Sequence, residues 1–398
     1  MSLADDAKLL LIPTGYKTSK VYSVFPTDGD GDFTYTRSGD ASRVNPGGLI
    51  ETVGTNIPRI DHTGGGCPTL NLEPLRTNYA LNSTQMHLNN TLTASGSTIT
   101  KTGNYAISPD GTLTVTRLQV SGSGSGYALL SVNGTNPTTD LNANGYYMSS
   151  VYVKSNTGSN QTISFYGSST QTSKIHEITN EWQRIQILAY RPANAKYAYI
   201  GYAASISNID TNLDFLVWGG QTEIVDNYIT SFIPTGATIE TRQKDNCHLL
   251  NQTLFTDFPF TVYAKAKVDN FSNVAFSLID SIASNKYLSI QFTSSSQIGV
   301  LRRDSLNNDS DYYSFSYSIG DTLKIAISYV NDTSYKLYVN GTELADITSG
   351  TSIPFDHNDI SLGQFRIASD TGTRNSIDDF RVYDYTLNDT ELTELTTL

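Results

Sequence analysis

The sequence predicts an all-β protein in which two tandem antiparallel β-sandwich domains follow an extended N-terminal arm. Two observations predict this class. Of the 398 residues only 16% are charged, whereas 25 are tyrosine, and tyrosine and threonine suit half-buried, pleated surfaces. Short stretches that alternate apolar and polar side chains are separated by Asn, Gly, Ser and Pro, the residues of tight turns. The chain is also too long for one compact core, so two or three domains are expected.

The first predicted segment, residues 1–78, does not have the composition of a self-sufficient globule. The apolar runs 9–13 and 20–25 predict short strands, but Gly- and Pro-rich turns interrupt the remainder. Such a segment gains order by lying against another body. We therefore expect an extended arm that becomes rigid on a companion chain.

The arm also carries a motif. Residues 32–53 (DFTYTRSGDASRVNPGGLIETV), followed by IPRID, GGCPTLNLEP and RTN up to residue 78, resemble the N-terminal leader common to tailed-bacteriophage virion proteins. The resemblance implies an attachment arm that contacts other virion proteins. Four arginines of this segment would pair with acidic groups of a neighbour or decorate the protein's own surface: Arg37, Arg43, Arg59 and Arg76.

Residues 79–243 predict the first sandwich. Alternation at 146–154, 181–188 and 196–202 indicates antiparallel strands, and 108–117 indicates a turn followed by a strand. The block ends with LDFLVWGGQTE and YITSFIPTGATIETR, and it resembles the carbohydrate-binding-module-like domain of the same phage proteins.

Residues 244–398 predict the second sandwich. The alternating stretch 335–339 ends at Asn340-Gly341, a dipeptide that suits a two-residue hairpin turn with positive φ. Residues 377–387 mark a closing strand.

The chain then ends in a short predicted helix, where Asn388 and Glu391 have the spacing of a capping box. Together with the hairpin, residues 246–398 resemble the laminin-G-like, concanavalin A-like jelly-roll family. This resemblance implies a module that binds sugar or protein, and the fold alone does not decide catalysis.

Charge excludes several partners. The net charge is −12 and the isoelectric point is near 4.8, whereas nucleic acids and anionic membranes are bound by dense basic surfaces. No segment has the roughly 18 uninterrupted apolar residues of a membrane span. The N-terminus lacks the basic start of a secretory signal, so we expect synthesis in a bacterial host cytoplasm without export.

The two cysteines, Cys67 and Cys247, are expected to be free, buried thiols, with a disulfide left open as the alternative. Asp28, Asp30 and Asp32 have the alternate spacing that begins a calcium loop. A solvated acidic turn is the favoured interpretation, because the twelfth position lacks the bidentate Glu of such loops.

No catalytic, cofactor-binding or metal-binding residue is predicted. Glycoside cleavage needs two carboxylates facing one groove, whereas acidic residues lie mostly in predicted turns such as 304–311, and Asp378 and Asp379 point to opposite faces of one strand. His176 and His248 have no supporting nucleophile motif. We expect a protein that is not an enzyme.

Aromatic residues are the candidates for sugar contact. Trp182 and Trp218 could stack on a sugar, but their apolar, alternating context favours core packing. Tyr312, Tyr313 and Tyr317 lie near predicted loops and are the better candidates for exposed glycan contacts.

We interpret the chain as a non-enzymatic structural protein on a tailed-phage virion surface, in the tail, a fibre or the head. Lectin-like domains would bind glycans or the host surface, and the arm would bind other virion proteins. A homo-oligomer is expected, with a trimer as one arrangement. The first alternative is a purely architectural capsid decoration or fibre subunit. A polysaccharide depolymerase ranks below both, because the sequence lacks a paired-carboxylate strand.

Overall fold

The computed structural model shows two compact units. Unit 1 contains Met1–Gly48, Thr52–Leu75 and Gln243–Leu398, and unit 2 contains Leu49–Glu51 and Arg76–Arg242. The structure describes residues 2–88, 92–133, 145–167, 172–191, 198–224, 228–255, 257–269, 273–279, 286–303, 308–352, 358–363 and 375–397.

The described residues are almost entirely strands and turns. The first strands are β1 (Leu9–Leu11), β2 (Tyr16–Lys17), β3 (Lys20–Val21), β4 (Phe33–Thr36), β5 (Ala41–Val44), β6 (Ile50–Val53), β7 (Ile60–Asp61), β8 (Thr69–Leu72) and β9 (Arg76–Asn78). After a 3₁₀ turn at Met86–Leu88 follow β10 (Leu92–Ser95), β11 (Thr98–Thr102), β12 (Thr116–Ser121), β13 (Tyr127–Ser131), β14 (Gly145–Ser155), β15 (Gln161–Gly167), β16 (Thr172–Ile178), β17 (Gln183–Arg191), β18 (Ala198–Ala203), β19 (Asn212–Glu223) and β20 (Glu240–Arg242). The last elements are β21 (Asn246–Leu249), β22 (Phe260–Lys267), β23 (Asn273–Ile279), β24 (Tyr287–Ser294), β25 (Gln297–Arg303), β26 (Asn308–Ser314), β27 (Thr322–Asn331), β28 (Ser334–Val339), β29 (Thr342–Ile347), β30 (Asp359–Leu362), β31 (Asn375–Tyr383) and the helix α1 (Asp389–Thr396).

Unit 1 is a sandwich of two antiparallel sheets. One sheet has the order β29-β28-β27-β22-β31-β8-β7, with β1 also paired to β31, and the other has the order β2-β3-β4-β21-β30-β23-β24-β25-β26. Apolar side chains from both sheets fill the space between them. Phe380 of β31, for example, packs edge-on against Phe33 and Phe276 of the opposite sheet, with ring centroids 6.1 and 5.5 Å away. The predicted all-β sandwich architecture is confirmed.

The N-terminal segment supplies strands to both sheets of unit 1. β1 and β8 pair with β31, and β4 pairs with β21. Leu9, Leu11, Phe33 and Leu70 of this segment are fully buried in the shared core. The expectation of an extended arm over residues 1–78 differs from this structure. The segment has no core of its own, but most of its apolar side chains in unit 1 are buried against the C-terminal sandwich of the same chain.

The end of the chain follows its local sequence signals. Asn340 and Gly341 have φ values of 47° and 77° in the two-residue turn between β28 and β29. Before α1, the Asn388 side chain accepts hydrogen bonds from the amides of Thr390 and Glu391 at 3.0 and 3.1 Å, and the Glu391 carboxylate accepts one from the Asn388 amide at 2.8 Å. The predicted hairpin and capping box are confirmed.

Unit 2 is a second sandwich. Its two five-stranded antiparallel sheets have the orders β10-β13-β18-β15-β16 and β11-β12-β19-β14-β17. The predicted strands at 146–154, 181–188 and 196–202 correspond to β14, β17 and β18, and residues 196 and 197 lie outside the described residues. Apolar side chains of both sheets form its core.

Candidate functional site

A groove of about 460 Å³ lies on the outer face of the sheet β10-β13-β18-β15-β16 in unit 2. Three tyrosines line it: Tyr127 on β13, Tyr166 on β15 and Tyr199 on β18. Leu129 and Ala203 also contribute to its surface. The described depressions on unit 1 have a lining that includes the charged residues Lys336, Asp346 and Asp389, and one tyrosine at most.

Strand alternation turns two of these tyrosines outward. Phe165 and Ile200 are fully buried in the core of unit 2, so their chain neighbours Tyr166 and Tyr199 face the opposite side of the sheet. Tyr166 and Tyr199 are direct register partners on β15 and β18, which places their Cβ atoms about 5 Å apart. We call these two residues the paired platform.

Tyr127 occupies the other end of the groove, opposite Ala203 in the register of β13 and β18. Its side chain is 39% exposed. The preceding residue, Gly126, has a φ of +76°, and a Cβ at this position would collide with the carbonyl oxygen of Ser95. Only glycine fits this close approach. The Ala204 amide donates a hydrogen bond to the Gly126 carbonyl at 2.9 Å and holds this end of the groove.

Small side chains form the floor between the two ends. Gly201 has a φ of +138°, and a Cβ there would lie 2.5 Å from the Ala128 carbonyl oxygen. The hydroxyl of the buried Ser164 donates to the Gly201 carbonyl at 2.8 Å. Leu129, opposite Gly201 on β13, provides the apolar surface. Gly201 therefore adds no side chain to this part of the sheet, and a residue with a Cβ there would collide with the backbone of β13.

The chemistry of the groove is aromatic, aliphatic and hydroxylic. Among the described residues that line it, none carries a charge. Tyrosine offers an apolar ring face together with a hydroxyl that donates and accepts hydrogen bonds. This combination suits a neutral ligand that has apolar faces and polar edges.

The tyrosines selected from sequence lie elsewhere, on unit 1. Tyr312 is 51% exposed, as expected, but Tyr313 is half-buried and its hydroxyl lies 2.5 Å from that of Tyr335. Tyr317 is only 5% exposed and donates a hydrogen bond to the Gln297 carbonyl at 2.7 Å. The expectation of an exposed Tyr317 is wrong, because its ring packs into the sandwich core.

The tryptophans are structural in the way the alternation predicted. Trp218 is buried, packs against the tilted ring of Phe232 at a centroid distance of 4.6 Å, and donates from Nε1 to the Thr114 hydroxyl at 3.1 Å. Trp182 is half-buried against the same apolar cluster. Core packing of Trp218 is confirmed.

The leader motif corresponds to a buried ion cluster within unit 1. Arg59 donates from Nη1 to Glu73 Oε2 at 2.7 Å and from Nε to Asp245 Oδ2 at 3.1 Å, and Nη2 also contacts Asp245. Arg37 Nη1 lies 3.2 Å from Asp245 Oδ1, and the Tyr35 hydroxyl donates to the same oxygen. Arg37 and Arg59 are 1% and 0% exposed. The expectation that they lie on the surface or reach a neighbouring chain is wrong.

Burial and charge act together on this cluster. Burial raises the pKa of the Tyr35 hydroxyl well above its usual range, and the Asp245 carboxylate raises it further. Burial alone would lower the pKa of Arg59, but the charges of Asp245 and Glu73 raise it above its ordinary value. Arg59 therefore stays cationic in the interior. The cluster ties the N-terminal segment to the start of β21.

The other two arginines also bond within their own units. Arg43 donates to the Pro58 carbonyl at 3.0 Å and to the Tyr16 hydroxyl at 2.7 Å in unit 1. Arg76 donates to the Tyr228 hydroxyl at 2.7 Å in unit 2.

The closing motif of the first predicted sandwich forms a network of buried hydrogen bonds between β19 and the segment that follows it. The Glu223 carboxylate is fully buried and accepts from the Thr230 hydroxyl at 2.5 Å and the Thr230 amide at 3.2 Å. The Gln221 side chain accepts from the Ile233 amide at 2.7 Å, and Arg242 donates to the Thr230 hydroxyl at 3.2 Å. The motif therefore fastens the returning segment 228–242, and its residues do not form a ligand site.

The acidic turn and the cysteines have simple environments. Asp28 Oδ1 accepts from the Asp30 amide at 3.1 Å, and Asp32 lies 3.3 Å from Lys20 Nζ. In the described parts of the chain, no group of three or more His, Cys, Asp or Glu side chains could hold a metal ion.

Both cysteines are free. Cys247 is buried as expected, whereas Cys67 is exposed, contrary to expectation, because it follows a glycine-rich surface turn.

The acidic residues considered for catalysis bind basic side chains. Asp378 pairs with Lys265 at 3.0 Å, and Asp379 pairs with Arg381. Residues 304–307 of the predicted acidic turn lie outside the described residues, and the remainder belongs to β26.

In β26, Asp309 and Asp311 both contact Arg302, and Asp311 also accepts from the Tyr335 hydroxyl at 2.6 Å. His248 is buried and His176 is half-buried, and burial lowers the pKa of both. Across the residues that the structure covers, no helix is both long and apolar enough to cross a membrane.

Comparison with known proteins identifies one part of the chain. Residues 241–393 match a family described as the concanavalin A-like lectin/glucanases superfamily. The match covers the region in which the sequence motifs predict a laminin-G-like, concanavalin A-like jelly roll. No curated protein matches the chain.

Several solved structures resemble part of the chain. The carbohydrate-binding module CBM40 of a Ruminococcus gnavus IT-sialidase, bound to alpha2,3 sialyllactose, shares 18% identity over 36% of this chain and 84% of its own, with a TM-score of 0.31. Domain 4 of AbnA, a GH43 arabinanase from Geobacillus stearothermophilus in complex with arabinotriose, shares 17% identity over 39% of this chain and 73% of its own, with a TM-score of 0.32. A SAP-like pentraxin from Limulus polyphemus shares 14% identity over 35% and 69%, with a TM-score of 0.28.

Proposed function

We propose that the protein binds neutral glycans, without catalysis, in the tyrosine-lined groove of unit 2. The observation that carries this proposal is the placement of Tyr127, Tyr166 and Tyr199 along one concave sheet face. A pyranose ring has apolar C–H faces and a rim of hydroxyl groups. The ring faces of the tyrosines can cover the former, and their hydroxyls can bond the latter.

The groove favours neutral over anionic sugars. A bound carboxylate or sulfate group would lose its hydration and would need a compensating cation or several donors. The described lining offers only aromatic, aliphatic and small hydroxyl side chains. A neutral glycan avoids this cost.

The proposed setting is the surface of a tailed-phage virion, assembled in the bacterial cytoplasm, where several copies would engage the host together. The motif at 32–78 supports this setting through its resemblance to phage leaders. Because most apolar side chains of that segment are buried in unit 1, attachment to other virion proteins would use its exposed turns, such as residues 63–67. Individually weak sugar contacts become effective when many copies are displayed, since later contacts form at high effective concentration.

The test is a glycan array with the full-length protein, presented as a multimer. We expect binding to neutral glycans, and loss of that binding in the double variant Tyr127→Ala/Tyr199→Ala. Tyr312→Ala is the control, because it removes an exposed tyrosine from unit 1, outside the groove. If no glycan binds, or if Tyr312→Ala abolishes binding while the double variant keeps it, the assignment to this groove is wrong.

The purely architectural alternative predicts a different result. A subunit that contacts only virion proteins would leave the array unlabelled and would still assemble into particles when Tyr127 and Tyr199 are replaced. Measuring particle assembly beside glycan binding therefore separates the two functions.

A further inference from the structure

We infer that the groove binds a linear stretch of three to four sugar rings that crosses the strands obliquely, with one ring at each aromatic end. This inference rests on the proposed glycan-binding function. It concerns the length and direction of the ligand, which follow from the strand register.

The two aromatic ends are separated along β13. Tyr199 of the paired platform lies opposite Ser131, whereas Ala203 lies opposite Tyr127. Tyr127 and Ser131 are therefore four positions apart on one strand, and at about 3.3 Å per residue this corresponds to about 13 Å. The platform lies on β18 and β15 and Tyr127 lies on β13, so the line between the aromatic ends crosses the strands obliquely, with a sideways displacement of about 5–10 Å at about 4.8 Å per strand.

This separation exceeds the size of one or two sugar rings. A pyranose ring with its glycosidic oxygen advances a chain by roughly 5 Å, as judged from single bonds of about 1.5 Å. A ring on the paired platform and a ring on Tyr127 must then be separated by one or two intervening rings. A monosaccharide or disaccharide reaches only one end.

The floor between the ends suits these intervening rings. Leu129 is apolar, and Gly201 presents no side chain. Gly201 adds no side chain that would block a sugar ring passing over the sheet, and the largely buried Leu129, 6% exposed, contributes only a small apolar surface. The middle of the groove therefore accommodates the chain without an aromatic contact, so most of the affinity should come from the two ends.

The two ends differ in strength. The paired platform presents two rings, Tyr166 and Tyr199, which are half-buried and hence held in place by their neighbours. Tyr127 presents a single, more exposed ring. Short ligands should therefore bind mainly at the paired platform, and Tyr127 should add affinity only for ligands long enough to reach it.

The experiment measures Kd by calorimetry for the full-length protein with cello-, malto- and β-1,4-manno-oligosaccharides of one to six rings. For any series that binds, we expect affinity to rise about tenfold between two and four rings and then to level off. Tyr127→Ala should remove this rise, whereas Tyr312→Ala, a substitution on unit 1 outside the groove, should keep it. Tyr127→Phe keeps the ring and should keep the rise, which guards against an effect of misfolding.

The outcomes separate the two proposals. Equal affinity for one ring and for six, or an unchanged rise in Tyr127→Ala, would overturn the length inference and leave glycan binding standing. Absence of binding for every oligosaccharide here and for every glycan on the array would overturn the proposed function itself.

Discussion

Arg59→Met tests whether the N-terminal segment is an integral part of unit 1. Arg59 bonds to Asp245, which precedes β21, and to Glu73, which follows β8. Methionine retains much of the apolar length of the side chain but removes the charge and all the donors. Both carboxylates would lose an ion pair in a fully buried environment.

The expected cost follows from burial. Removing one partner of a buried ion pair costs about 3–5 kcal/mol, because the remaining charge loses its compensation. Asp245 keeps the contact with Arg37 at 3.2 Å, so we expect a value near the lower limit, about 3 kcal/mol. For a unit of about 230 residues, 1 kcal/mol corresponds to about 2–4 °C. The melting transition of unit 1 should therefore shift down by about 6–12 °C.

Differential scanning calorimetry of the full-length protein measures this shift. Arg43→Met is the matched control from the same segment. Arg43 is half-buried and donates to the neutral Pro58 carbonyl and Tyr16 hydroxyl, so its loss should cost about 1.5 kcal/mol or less. A transition for Arg59→Met that lies within about 2 °C of the wild type, less than 1 kcal/mol, would refute the reasoning, because the segment would then not depend on the buried cluster.

Three further predictions concern thiols, pH and a turn. In the native protein, an aromatic disulfide reagent should label only Cys67, because Cys247 is buried and burial raises the pKa of its thiol well above the usual range. In denaturant, both thiols should react. Two rapidly reacting thiols in the native state would contradict the burial of Cys247. Burial lowers the pKa of His176, and the charge of Lys174 lowers it further. The contribution of the neutral imidazole to the stability of unit 2 is therefore fully present above the unfolded pKa of about 6.5. This contribution is lost as the pH falls through that value towards the lower folded pKa. The midpoint temperature of unit 2 should fall between pH 7 and pH 5, and it should fall less steeply in the variant His176→Phe. If the wild type and the variant have parallel plots of midpoint temperature against pH, His176 does not contribute to the pH dependence. Gly341→Ala should destabilise unit 1 by about 1–2 kcal/mol in urea unfolding, because its φ of 77° is strained for a residue with a Cβ. Gly320→Ala, at a φ of 102° with open space around it, measures the effect of backbone strain alone. An unchanged unfolding midpoint for Gly341→Ala would contradict the hairpin turn at this position.

Local sequence signals are sufficient to predict those structural features that depend on a single turn or a single strand. The Asn340-Gly341 hairpin and the Asn388 cap depend on neighbouring residues, so their sequences specify them directly. Alternation likewise predicted the strands and the burial of Trp218. The all-β class follows from the same local preferences, summed along the chain.

The sequence also showed that residues 1–78 could not form a core alone, but not what they pack against. Arg59 and Asp245 are 186 positions apart, and no local pattern links a basic residue to an acidic one at that distance. The composition of the segment indicates only that some partner is required, so the sequence alone predicts a companion chain. Long-range strand pairing made that partner the C-terminal sandwich of the same chain.

The groove shows the same division between local and long-range information. Alternation around Phe165 and Ile200 indicates that Tyr166 and Tyr199 face away from the core, so the direction of each ring is encoded locally. Which strands are neighbours, and in what register, depends on hydrogen bonds between segments far apart in the chain. Only the folded sheet brings three of the 25 tyrosines onto one face, because the distance between side chains on different strands is a property of the register and not of either strand alone.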